Sequence, residues 1–154
     1  MHLILWRHAE AEEFAPNDLV RALTPRGQRQ AAKMAAWLHA QLGDSIREWR
    51  LIASPAVRAQ QTASALDLPI ETVRSIAPDA EPIAILTAAQ WPDAPRNAIV
   101  TGHQPTLGRV AALLLHGADG DVSVKKGAMW WFETREREGR REVRLKAMMV
   151  PEHV

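Results

Sequence analysis

The chain has 154 residues, 47% of them hydrophobic and 24% charged, with a formal net charge of +1 and no cysteine. That length fits one domain, residues 1–154, better than two, and the composition is ordinary for a globular protein with a real core. The balanced charge argues against nucleic acid or a membrane surface as partner, and the lack of cysteine excludes disulfides, thiol catalysis and thiolate metal sites and is compatible with a reducing cytoplasm.

Leu3-Ile4-Leu5-Trp6 is an apolar run that stops at Arg7-His8, so 3–6 reads as a short buried strand. The run is too short for a signal-peptide core, and no stretch approaches the roughly 20 apolar residues of a membrane span. Residues 9–23 are polar and irregular, with Pro16-Asn17-Asp18 as a turn signal. Thr24-Pro25 is a helix cap followed by proline at the first helical position. Ala31, Met34, Ala35, Leu38 and Leu42 follow at helical spacing and Gly43 is the stop, which predicts an amphipathic helix over 25–42.

A second short strand is expected at 50–53. Ser54-Pro55 repeats the cap-then-proline signature and predicts a helix over 55–66. A strand at 73–76, a helix at 82–90, a strand at 97–101 and a helix at 105–115 follow. The segments 128–133 and 142–149 read as an antiparallel hairpin joined by the charged turn 136–141. Trp130 and Trp131 should face opposite sides of their strand, and Lys125-Lys126 reads as a solvated turn.

Strands alternating with helices predict an α/β domain with a mostly parallel sheet and an antiparallel C-terminal edge. In such a sheet the carboxyl ends of parallel strands form one edge, where ligands bind. Three strands here end on Arg7-His8, on Ser54-Pro55 with Arg58 one helical turn later, and on Gly102-His103. If they are parallel neighbours, two arginines and two histidines converge. A phosphoryl group suits that set best, because guanidinium forks pair bidentately with its oxygens. With no cysteine, a neutral imidazole is the natural nucleophile.

The same residues carry a resemblance. Leu5-Trp6-Arg7-His8-Ala9-Glu10 resembles the Arg-His-Gly signature of the histidine phosphatase superfamily. Leu23-Thr24-Pro25-Arg26-Gly27 resembles its Leu-Thr-x-x-Gly segment, whose following glutamine is matched by Gln28 or Gln30. Ser54-Pro55-Ala56-Val57-Arg58, with Thr62, resembles its Ser-Pro-x-x-Arg-x-x-x-Thr segment, and Thr101-Gly102-His103 its second-histidine strand end. The short length and the opening motif are most similar to the small SixA-type branch of phosphohistidine phosphatases.

That resemblance implies a phosphoglycerate mutase-like three-layer α/β/α sandwich and a metal-independent phosphatase with no cofactor. By it, His8 becomes phosphorylated, Arg7 and Arg58 grip the phosphoryl oxygens, and His103 completes the pocket. Arg21 and Gly102 are the further expected substrate contacts. The expected partner is a phosphohistidine-bearing protein or a small phosphorylated substrate. Ala9 stands where glycine is usual. The general acid is left open among Glu10, Glu12, Asp18, Asp79 and Glu81, with Glu10 and Glu81 as the named candidates. Two other readings follow from these departures: a phosphomonoesterase for sugar or nucleotide-like phosphates, and a phosphate- or partner-binding module that has lost turnover. A phosphoramidate favours the first reading, because its leaving imidazole departs already protonated and needs no positioned acid.

Overall fold

The computed structural model describes residues 1–154. Six strands and four helices alternate along the chain: β1 (His2–Arg7), α1 (Pro25–Leu42), β2 (Arg50–Ala53), α2 (Val57–Ser64), β3 (Ile70–Thr72), α3 (Pro82–Ala89), β4 (Ala98–Gly102), α4 (Thr106–His116), β5 (Met129–Arg137) and β6 (Arg140–Met149). They build one sheet in the order β3-β2-β4-β1-β5-β6. The first four strands in that order are parallel, and β5 runs antiparallel to both β1 and β6.

Side chains alternate across each strand, so β1 sends Ile4 and Trp6 to one face and Leu3 and Leu5 to the other. The first face packs against Met34 and Leu38 of α1 and Ala63 of α2. The second packs against Ile85 of α3 and Leu107 and Val110 of α4. This is the expected three-layer α/β/α sandwich. Leu3, Ile4, Leu5 and Trp6 are fully buried, each aliphatic one contributing roughly 1.5–3 kcal/mol, which is why this run is apolar throughout rather than alternating. No helix is long and apolar enough to cross a membrane.

Helix α1 begins and ends as its signals predict. Thr24 Oγ1 accepts from the Gly27 N–H at 2.9 Å, Pro25 opens the helix, and Gly43 closes it at φ 56°. Elsewhere the structure corrects the reading. Helix α2 starts at Val57, not at residue 55: Ala56 is its N-cap and keeps an extended backbone, and the Ser54 hydroxyl, one residue before Pro55, contacts both the Ala56 N–H and His103. The strand expected at 73–76 lies at Ile70–Thr72, and Arg74–Ile76 is a 3-10 turn. This edge strand is largely exposed, so no burial pattern marks it. The hairpin strands run through the charged segment, where Arg135–Glu142 and Glu136–Arg141 pair across the ladder and Glu138-Gly139 make the turn at φ 53° and 75°. Trp130 and Trp131 do split, Trp131 packing on the α1/α2 face and Trp130 on the α3/α4 face.

Candidate active site

Strand β4 lies between β1 and β2, with Arg7 level with Gly102 and Ala53 level with Thr101. All three strands are parallel, so the chain leaves the sheet at one edge at His8, Ser54 and His103. The two imidazole rings stand 5.3 Å apart, centroid to centroid. They open onto a cleft of about 410 Å³ whose walls include Arg7, Arg58, Arg21 and Lys126. A larger cleft of about 580 Å³, lined by His2, Trp49, Trp131 and Asn97, lies at the opposite ends of the strands. None of the four converging side chains reaches it.

Each of the four groups is fixed by one edge and leaves the other edge unused. His8 Nδ1 donates to its neighbour's carbonyl, Ala9 O, at 2.8 Å. A carbonyl only accepts, so the ring proton sits on Nδ1 and Nε2 carries a free lone pair. His103 Nε2 meets Ser54 Oγ at 2.7 Å, and that oxygen already accepts from the Ala56 N–H at 3.2 Å. The hydroxyl proton of Ser54 has no acceptor other than Nε2 and so is donated to it, which leaves the proton of His103 on Nδ1, a buried atom with no partner. Arg7 Nη1 donates to Val124 O at 2.9 Å. Arg58 donates through Nη1 and Nη2 to Asp18. The Nε of both arginines is buried and unpaired. Buried donors without acceptors are costly, and three on residues that line one cleft suit an incoming anion.

Burial also sets the charges. Desolvation lowers His8 to about 4, helped by the Arg58, Arg7 and Arg21 cations and opposed by the Ala9 hydrogen bond. Desolvation, followed by the charge of His8 and then of Arg58, lowers His103 to about 3. Both rings are neutral at physiological pH. Burial and then Arg58 lower Arg7, which remains a cation because guanidinium does not deprotonate in proteins. The cleft thus offers one imidazole lone pair amid fixed positive charge.

The loop that carries His8 is tied down on several sides. Ala9 N–H donates to Thr62 Oγ1 at 3.0 Å, and Glu10 N–H to Gln30 Oε1 at 3.0 Å. Gln30, not Gln28, is therefore the glutamine that supports this loop. The Gly127 N–H bridges the carbonyls of Arg7 and His8, each at 3.1 Å. Ala9 is fully buried in the core beneath the cleft and has no positive φ, so its methyl group does not intrude.

The remaining sequence candidates divide. Arg21 lines the cleft and binds Asp18 Oδ1 at 3.0 Å. Gly102 does not line it and acts through its carbonyl, which accepts from the His8 N–H at 3.1 Å. Glu10 turns away to Thr24 Oγ1 at 2.7 Å and to Arg26, and Glu81 pairs with Arg109. The carboxylates on the cleft are Asp18 and Asp79. Lys126, which reads as a solvated turn, is on the cleft wall, as is Gln104, whose only sequence signal is its place after His103. No three His, Asp or Glu side chains gather as a metal-ligand set.

The sequence profile of the histidine phosphatase superfamily (branch 1) matches residues 3–79. The chain is 30% identical over 125 residues to phosphohistidine phosphatase SixA of Escherichia coli (strain K12), covering 76% of each chain. It is 29% identical over 126 residues to a phosphohistidine phosphatase SixA homolog of Haemophilus influenzae, covering 74% of this chain and 77% of that one. The structure of the protein histidine phosphatase SixA complexed with tungstate has the same fold, with a TM-score of 0.79 over 99% of both chains at 24% identity.

Proposed function

The chain belongs to the histidine phosphatase superfamily, branch 1, and from that premise we propose that it hydrolyses phosphohistidine on a partner protein through a phosphohistidine intermediate of its own. His8 Nε2 attacks phosphorus, and the bond from phosphorus to the substrate imidazole breaks. That imidazole takes the electron pair and departs neutral, its other nitrogen already protonated. Water then attacks the phosphoenzyme, the P–Nε2 bond breaks, and inorganic phosphate leaves. Arg7, Arg58 and the Nδ1–H of His103 offset the charge on the equatorial oxygens throughout, which is the main task of a protein in phosphoryl transfer. The observation that carries this reading is the free Nε2 lone pair of a neutral His8 in a cleft it shares with Arg7, Arg58 and His103, each of which keeps a buried, unpaired donor.

The choice of a phosphoramidate over an ester rests on the carboxylates. Desolvation pushes Asp18 up, but hydrogen bonds and charge from Arg58 and Arg21 outweigh it and hold the group ionised below its ordinary range. It has no proton to give an ester's leaving oxygen. Asp79 is the one other carboxylate on the cleft, and the phosphomonoesterase reading requires it as the acid. The test compares a phosphohistidine peptide with an aryl phosphate ester. A general acid contributes about 10²–10⁴-fold, so kcat/KM should favour the peptide by at least about 10²-fold. Equal or reversed preference, lost in Asp79→Asn, supports the ester enzyme instead.

A further inference from the structure

Arg58 is almost fully enclosed, its side chain 4% exposed, yet its only partner, Asp18, lies on a three-residue 3-10 turn at the surface and is 56% exposed. The contact is made end-on. Asp18 O accepts from Nη1 at 2.7 Å and Asp18 Oδ2 accepts from Nη2 at 3.0 Å. A guanidinium has five N–H groups fixed in one plane. An end-on grip uses one on each Nη and leaves the side edge, the Nε–H with the second Nη2–H. The Nε of Arg58 is buried and unpaired, and this edge is one that forms two parallel bonds to a tetrahedral anion. The other oxygen of the same carboxylate, Oδ1, holds Arg21 Nε at 3.0 Å. One carboxylate therefore fixes two of the cleft's cations.

We propose that Asp18 is a positioning residue that grips Arg58 from behind, so that its side edge meets the phosphoryl group at His8, and that sets Arg21 beside it. The inference rests on the phosphatase reading of the cleft and adds the device that aligns it. Two effects of removing Asp18 have opposite signs. A carboxylate beside an anion site repels the anion, so by charge alone its loss would tighten phosphate binding. Loss of the grip frees a long side chain that must be ordered again on binding, which weakens it.

The experiment measures inorganic phosphate binding by calorimetry, and kcat and KM on a phosphohistidine peptide, for wild type, Asp18→Ala and Asp18→Asn. A misplaced group costs up to about 10²-fold, so Asp18→Ala should weaken phosphate binding about 10-fold and lower kcat/KM by about 10–10²-fold. Asp18→Asn keeps the backbone carbonyl and one side-chain acceptor for Arg58 and should recover part of both losses. Thermal unfolding within a few degrees of wild type excludes a folding defect, and the Asn variant serves if the Ala variant is unstable. Phosphate bound by Asp18→Ala as tightly as by wild type, or more tightly, overturns the positioning role alone. Wild type that neither binds phosphate nor turns over overturns the reading of the cleft together with it.

Discussion

The hydroxyl of Thr62 stands between the backbone of Ala9 and the backbone of Arg58: it accepts from the Ala9 N–H at 3.0 Å and donates to Arg58 O at 2.7 Å. Thr62 lies one helical turn after Arg58, so α2 supplies both a cleft cation and the strut under the loop that carries His8. Thr62→Val keeps the shape and removes the acceptor, leaving a buried N–H unpaired. Such a group costs about 1–3 kcal/mol, and the variant should lose that much stability in urea unfolding. Its turnover should fall as well, since the Ala9 carbonyl orients His8. Unchanged stability and unchanged kcat would show that the strut does not matter.

Gly27 has a different constraint. A Cβ built there would stand 1.9 Å from Glu10 O, which is backbone and belongs to the His8 loop. The first turn of α1 can approach that carbonyl only without a side chain. Gly27→Ala should therefore cost at least the roughly 1–3 kcal/mol of an overpacked site, read as a lower unfolding midpoint, together with a drop in kcat. An alanine variant as stable and active as wild type contradicts the close approach.

Much of this was legible in the sequence where one local signal had one consequence. The Thr24 cap, Pro25 and Gly43 bound α1, and the buried runs of β1 and β4 mark the central strands. Legibility failed where a residue serves a distant partner. Ser54 has the form of a helix cap, but its hydroxyl is used by His103, 49 positions away. Asp18 has the form of a turn residue, and nothing local reveals its grip on Arg58, 40 positions away. Gln28 and Gln30 are equal candidates until Glu10 N–H selects Gln30.

The buried imidazoles predict an acid-sensitive fold. In the unfolded chain these histidines protonate near 6.5, but burial lowers His8 to about 4 and His103 to about 3 in the folded protein. Between those values the unfolded state binds more protons. Stability is therefore full above about 6.5 and falls as pH drops toward 4, at up to about 1.4 kcal/mol per pH unit for each ring. His2, lowered by burial and then Lys146, adds to the same slope. Urea unfolding at pH 7 and pH 4.5 should show this loss, and His8→Asn should flatten it. A stability independent of pH over that range, or both rings titrating near 6.5 by NMR, contradicts the burial.

The central claim is that the neutral His8 takes the phosphoryl group on Nε2. The protein is mixed with a labelled phosphoramidate, quenched in alkali, digested and mapped by mass spectrometry. Label should appear on His8, stable to base and lost in acid, as the Nε2 isomer, because Nδ1 is occupied by Ala9 O. It should be absent from His8→Ala. Label on Nδ1 or on another residue, or steady turnover with His8 never labelled, would contradict the account.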